Sequence, residues 1–185
     1  MIISISGMPG AGKSTLAENI SKKLGMKRYY IGALRRSMAK ERGMTLDEFN
    51  TLGETDPSTD KEVDEYQEKL GKEEDNFVIE GRTSFFFIPH SIKIFLDVDL
   101  KEAARRIYRC SLDEKDQRNE KVYLSEDDVY KNLLKRIESD RKRYRNYYNI
   151  ENCYDGNNFD FVIDTTLLTP EQVFEKTKIF VEKRF

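Results

Sequence analysis

Five short apolar runs punctuate an otherwise polar chain, and each is too short to be a helix. Ile2 to Ser6, Tyr29-Tyr30-Ile31, Phe77-Val78-Ile79, Ile92-Lys93-Ile94-Phe95-Leu96 and Phe161-Val162-Ile163 are rich in β-branched or aromatic residues, the pattern of buried strands. Between them apolar positions return at helical spacing. Leu16, Ile20 and Leu24 form one stripe, which Gly25 stops. A helix is predicted near Leu34 to Arg42, and another from the capping box Thr45-x-x-Glu48. After the turn Asp56-Pro57-Ser58-Thr59, a polar helix carrying Val63, Tyr66 and Leu70 runs to Gly71. Further helices span Lys101 to Cys110 and, from a Ser125-x-x-Asp128 cap, extend to about Tyr148. A last helix opens with Thr169 as N-cap and Pro170 at its first position. Strand alternating with helix predicts an α/β fold with a parallel sheet covered on both faces. No internal repeat and no Pro/Gly/Ser linker divides the chain, so residues 1–185 are expected to form a single domain.

Composition narrows the partners. Charged residues make up 36% of the chain, yet the signs cancel to −2, so whole-molecule steering to nucleic acid or an anionic membrane is not supported. Cys110 and Cys153 are too few and too far apart for a zinc ribbon or a secreted disulfide framework, and read as free thiols of a cytoplasmic protein. The apolar start lacks the basic flank and length of a signal peptide, and nothing is long enough to span a membrane. Ser111 to Tyr123, dense in Asp, Glu, Lys, Arg and Asn, is the segment expected to be mobile.

Candidate chemistry begins directly after the first strand. Gly7-Met8-Pro9-Gly10-Ala11-Gly12-Lys13-Ser14 fits G-x-x-x-x-G-K-[ST] at every fixed position and opens a helix, the context in which backbone N–H groups converge on phosphate oxygens. Lys13 is expected to bridge the β- and γ-phosphates of ATP, and Ser14 to ligate Mg²⁺. A GTPase is disfavoured because no Asn-Lys-x-Asp motif is present; Asn157 to Asp160 matches only its ends.

Arginines suit a phosphorylated acceptor, because two nucleotides in one cleft concentrate negative charge. Arg82 follows the strand Phe77 to Ile79, where open α/β sheets bind ligands. Arg136, Asp140 and Arg143 stand at i, i+4 and i+7 on one side of the long helix. Taken alone, that spacing is equally satisfied by solvated ion pairs, the default in a stretch as charged as Arg141 to Arg145. The same basic, tyrosine-bearing stretch admits a nucleic-acid reading, diluted by Glu138 and Asp140.

Four stretches resemble the cytidylate kinases, particularly the short archaeal form, within the nucleoside monophosphate kinase group. They are Met1 to Thr15; Gly32 to Lys61, with Met38 to Phe49 and Asp56-Pro57; Ile79-Glu80-Gly81-Arg82 with Lys93 to Asp97; and Arg136-x-x-x-Asp140-x-x-Arg143-Tyr144. The resemblance implies a P-loop NTPase three-layer fold, a five-stranded parallel sheet flanked by helices, with a monophosphate-binding segment at about 33–72 and a lid at about 109–136. It implies transfer of the ATP γ-phosphoryl group to CMP or dCMP, a monomer, and no nucleic-acid or membrane partner. Gly7, Gly10, Ala11, Gly12, Lys13, Ser14 and Thr15 would then hold ATP. Arg36, Gly81 and Arg82 would hold the acceptor phosphate, Asp140 would meet the sugar hydroxyls, and Arg143 would approach the phosphates. Arg106 and Arg136 would stabilise the transferring group. Ser14, with Glu80 acting through water, would hold Mg²⁺; Asp97 is a weaker candidate.

Two departures matter. Thr83 stands where many bacterial members carry an acid that helps recognise cytosine, and Arg35 precedes Arg36 where a large apolar residue is usual, so the two arginines are alternatives for one role. A different acceptor on the same scaffold, as in an adenylate kinase, remains an alternative reading, as does an ATP-dependent RNA-binding switch. His90, the only histidine, reads as structural or solvated.

Overall fold

A computed structural model of the chain describes residues 1–112 and 123–184. Five strands, β1 (Ile2–Gly7), β2 (Lys27–Tyr30), β3 (Phe77–Glu80), β4 (Ile92–Asp97) and β5 (Phe161–Asp164), form one sheet in the order β2-β3-β1-β4-β5. Every pairing is parallel. Each crossover carries helix, as parallel neighbours require: α1 (Lys13–Leu24), α2 (Ile31–Glu41), α3 (Leu46–Leu52), α4 (Ser58–Glu73), α5 (Ser84–Phe87), α6 (Leu100–Ser111), α7 (Glu126–Tyr148) and α8 (Pro170–Glu182).

Both faces of the sheet are covered, and the period of two decides which residue faces which layer. Ile3 and Ile5 of β1 join Ile94 and Leu96 of β4 against α1, α6 and α8. Ile2, Phe77 and Ile79 point the other way, against Met38, Phe49 and Val63 of α2, α3 and α4. Ser4 and Ser6 are buried on that second side, and each is satisfied: Ser4 Oγ accepts from Ser91 Oγ at 2.8 Å, and Ser6 Oγ donates to the Gly81 carbonyl at 2.6 Å. A third cluster of Phe85, Tyr144, Ile150 and Cys153 closes the end beyond β3.

Helix starts follow the side-chain caps. Thr45 and Glu48 form the reciprocal capping box, Ser125 accepts from the Asp128 N–H, and Thr169 caps α8 with Pro170 in its first turn. Three boundaries differ from the sequence expectation. The second strand is Lys27–Tyr30, and Ile31 already belongs to α2, whose inward face it shares with Met38; a short apolar run does not distinguish a strand end from a buried helix start. α4 continues past Gly71 to Glu73, and Ser84–Phe87 forms an extra helical turn. The segment expected to be mobile, and the middle of the expected lid, fall on residues 113–122, outside the described residues. Because all strands run the same way, the loops after β1, β3 and β5 meet at one edge.

Candidate active site

At that edge the chain turns from β1 into α1 through the glycine-rich loop. Gly7 has φ +142°, and a Cβ there would lie 2.2 Å from the Leu96 carbonyl oxygen, so no side chain fits where the loop leaves the sheet. Gly12, at φ +91°, is the N-cap of α1; it offers no side-chain cap, and no acid sits in the first turn. The helix start therefore presents backbone N–H groups and a positive terminus to an outside anion.

A cavity of about 260 Å³ opens over this loop. Gly10, Gly12, Lys13, Ser14 and Thr15 line one side. Lys13 Nζ donates to the carbonyls of Gly7 (2.9 Å) and Met8 (2.7 Å). Burial pulls its pKa down to about 7, and the neighbouring cations Arg82 and Arg136 push the same way. A buried lysine held at neutral pH beside two arginines suits a site completed by phosphate charge. Gly7 and Ala11 do not line the cavity; they shape the loop, and the Ala11 N–H bonds back to Met8 at 3.2 Å.

Ser14 Oγ donates to Glu80 Oε2 at 2.6 Å, and Glu80 also accepts from Arg28 Nε at 2.9 Å. A hydroxyl and a carboxylate side by side at a helix N-terminus are hard oxygen donors, so they fit Mg²⁺ in the arrangement expected from the sequence. Asp97 does not line the cavity; its carboxylate accepts from the Val98 N–H at 2.8 Å.

The same cavity is lined by the acceptor arginines. Arg36 lines the cavity, donates to the Tyr30 hydroxyl and lies over that ring, 4.8 Å from its centroid. Arg35 lines it from a buried position, with Nε on Asn50 (2.9 Å) and Nη1 on Asp60 (2.7 Å) and the Thr59 carbonyl (3.1 Å). The two arginines thus divide: Arg36 is half-buried at the cavity, whereas Arg35 is anchored in the core. Gly81 and Arg82 form part of the floor, and Arg82 Nε donates to the Tyr154 hydroxyl at 2.9 Å and pairs with Asp140 at 2.6 Å.

Two expectations require correction. Asp140 and Arg143 do not line the cavity; both are fully buried behind it. Asp140 is committed to Arg82, Arg143 and the Tyr154 hydroxyl (2.6 Å), and Arg143 to Asp140 and Asp60, because a charge at zero exposure must be met by its own protein. In this arrangement Asp140 pairs with Arg82 and does not reach the cavity. Burial acts to raise its pKa, but Arg82 and Arg143 outweigh it and hold the carboxyl below the usual aspartate range.

Arg136 lines the cavity from α7, as expected. Arg106 lines it from α6, but its guanidinium is held by Glu102 (2.8 Å) and the carbonyls of Thr165 (2.8 Å) and Thr166 (3.1 Å). In this arrangement Arg106 ties α6 to the loop after β5, so direct contact with a transferring group requires it to leave those carbonyls. The basic stretch expected as an alternative RNA surface is broken, since Arg143 and Tyr144 are buried between exposed Lys142 and Arg145. His90 is exposed in a turn, and Cys110 and Cys153 are free. Among the described residues, no helix is long and apolar enough to cross a membrane.

The sequence reading missed Asp60, Asp64 and Gln67, which α4 buries beside the cavity at i, i+4 and i+7. Their spacing was visible, but in a helix this polar it does not differ from a solvated face.

Residues 2–167 match the model of the cytidylate kinase-like family. The chain belongs to that family. It is 35% identical over 183 residues to a cytidylate kinase of Pyrococcus abyssi, covering 98% of this chain and 94% of the relative. It is also 35% identical over 182 residues to one of Methanobrevibacter smithii, covering 98% and 96%. Among solved structures, shikimate kinases from Bacteroides thetaiotaomicron (TM-score 0.64, 16% identity, 98% of each chain) and Aquifex aeolicus (TM-score 0.59, 20% identity, 100% of this chain and 98% of that one) share the fold. The family member described here is accordingly an ATP-dependent phosphotransferase of the nucleoside monophosphate kinase type.

Proposed function

We propose that the chain transfers the γ-phosphoryl group of ATP to the phosphate of CMP or dCMP, giving CDP or dCDP. The observation that carries this reading is the convergence of Lys13, Arg36, Arg82 and Arg136 on one cavity. Several cations in one cleft suit a donor and an acceptor that both carry phosphate. The cytidine acceptor comes from the names of the relatives.

In this reading the glycine loop and Lys13 grip the donor phosphates, while Arg36 and Arg82 fix the acceptor phosphate in line. Catalysis comes from positioning and charge neutralisation, with no protein nucleophile. Ser14, with Glu80 through water, would hold Mg²⁺, which would supply positive charge to neutralise the phosphates. Residues 33–72 would form the acceptor segment. Residues 109–136 would form the lid, with closure keeping water from the donor.

The test is ADP release from Mg·ATP with CMP, dCMP, UMP, AMP, GMP or no acceptor. Stimulation greatest with CMP or dCMP is the expected result; no stimulation by any monophosphate would remove the proposal.

A further inference from the structure

Among the described residues, three carboxylates line the cavity, and two of them are matched by cations. Glu80 is bonded by Arg28, and Asp60 by Arg35 and Arg143. Asp64 is not. It is buried, 4% exposed, and its three hydrogen-bond partners are uncharged donors: Gln67 Nε2 (2.8 Å), Thr83 Oγ1 (3.0 Å) and the Tyr148 hydroxyl. The Gln67 amide is itself oriented, because its Oε1 accepts from Ser84 Oγ at 2.6 Å and so turns Nε2 toward Asp64. The carboxylate is thus fixed as an acceptor, and about one of its roughly four lone-pair positions remains for a ligand.

Its surroundings indicate which part of a nucleotide it would meet. Lys13, Arg36 and Arg82 give the cavity charge suited to phosphate, while Ile31, Val63 and Tyr144, in the same lining as Asp64, add apolar surface suited to a flat base. Arg35 supplies a second sign: its Nη2 is buried and has no hydrogen-bond partner among the described residues, while the rest of its guanidinium is anchored. It is near enough for its charge to act on Asp64. An unspent donor and a fixed acceptor in the lining of one cavity complement a base edge that offers an acceptor beside an amino group. Cytosine has that edge, with O2 and N3 beside the 4-amino group, whereas uracil presents O4, which repels a carboxylate. Burial lifts the Asp64 pKa to about 7, against the pull of Tyr148, Thr83 and Arg35, so the accepting carboxylate is the form present above that pH, and the comparison below is made there.

Resting on the proposed monophosphate kinase reading, we infer that Asp64 is the residue that selects an amino-bearing pyrimidine, by accepting a hydrogen bond from the 4-amino group while Arg35 Nη2 donates to the adjacent ring acceptors. Gln67, Thr83 and Tyr148 are positioning residues that hold the carboxylate in place.

The test compares kcat/KM for CMP, UMP and the monophosphate of pyrimidin-2-one riboside, which lacks the 4-amino group, in the wild-type chain and in Asp64→Asn. Deleting a hydrogen bond to a charged group should cost the wild type about 10- to 150-fold between CMP and the deamino analogue. Asp64→Asn should lose most of that difference, and its CMP-to-UMP ratio should fall by a similar factor, because the carboxamide can turn an N–H toward O4. The KM for ATP should stay unchanged. Equal losses for all three acceptors, leaving both ratios intact, would mean that Asp64 only packs and would overturn the inference. If Asp64→Asn fails to fold, Thr83→Val removes one of the donors that fixes the carboxylate and is carried through the same comparison; unchanged ratios there overturn it equally. No transfer to any monophosphate by the wild type overturns the kinase reading as a whole, whereas transfer to CMP with unaltered ratios in the variants overturns only the role of Asp64.

Discussion

Replacing Asp140 by alanine should damage stability more than chemistry, and its effect on the sugar preference decides between two roles for this carboxylate. Asp140 is fully buried, accepts from Arg143 through one oxygen, and through the other receives Tyr154 at 2.6 Å and pairs with Arg82 at 2.6 Å. Its removal leaves Arg143, at 0% exposure, dependent on Asp60, which Arg35 already shares. Breaking a buried pair in this way costs about 3–5 kcal/mol, which in a chain of this size lowers Tm by roughly 6–20 °C. Asp140→Asn keeps the shape and an acceptor for Tyr154, and should lose less. The depressed pKa fixes the sign with pH: the stabilisation is fully present above the ordinary aspartate value of about 3.9 and is lost as pH falls through the lower folded value. Thermal unfolding at pH 7 and near pH 3, paired with steady-state kinetics on CMP and dCMP, reads both consequences. The KM for the acceptor should rise, because Arg82 loses its anchor, while the ratio of CMP to dCMP turnover stays unchanged. A near-normal Tm combined with a collapse of that ratio would refute the reasoning and place Asp140 against the sugar.

Other consequences follow from the same geometry. Lys13→Ala should lower kcat by about 10²–10³-fold, the typical loss when one preorganised cationic or N–H donor is deleted; near-normal turnover would contradict its role at the phosphates. With its pKa held near 7 by burial, Lys13 is substantially neutral just above pH 7 in the unliganded chain, and phosphate charge raises the pKa again. ATP binding at pH 7.5–8.5 should therefore take up a proton, seen as a dependence of the calorimetric heat on buffer ionisation enthalpy that Lys13→Ala abolishes. Arg36→Ala should raise the acceptor KM about tenfold or more and the ATP KM little, since its loss removes a charge-assisted hydrogen bond on the acceptor wall alone; equal losses for both substrates would count against that placement. Gly7→Ala forces a Cβ to within 2.2 Å of the Leu96 oxygen at φ +142°, so it should lower Tm and weaken ATP binding together, and a wild-type Tm would contradict the loop geometry.

The donor half of the site could be read in the chain because most of its chemistry is local: a strand, a glycine turn and a helix start within Ile2 to Thr15 carry the loop, Lys13 and Ser14, with Glu80 joining Ser14 from β3. The helix caps at Thr45, Ser125 and Thr169 were equally local and recur in the structure. The acceptor half is not local. Asp60, Asp64 and Gln67 look like the wet side of a polar helix until Thr83, Ser84 and α7 cover them. Arg136, Asp140 and Arg143 share one helix side, yet only Arg136 reaches the cavity, because Arg82 and Asp60 approach the other two from elements more than 50 residues away in sequence. Long-range ion pairing, invisible to spacing, turned Asp140 and Arg143 from candidate ligands into scaffold.

The most direct test of the central claim follows the phosphorus atom itself. ATP labelled in its γ-phosphate is incubated with Mg²⁺, CMP and the enzyme, and the label is located by separating the nucleotides. Label appearing in the β-phosphate of CDP, in proportion to the ADP formed and absent with Lys13→Ala, is the predicted outcome. Label released only as inorganic phosphate, or remaining in ATP, would contradict the account.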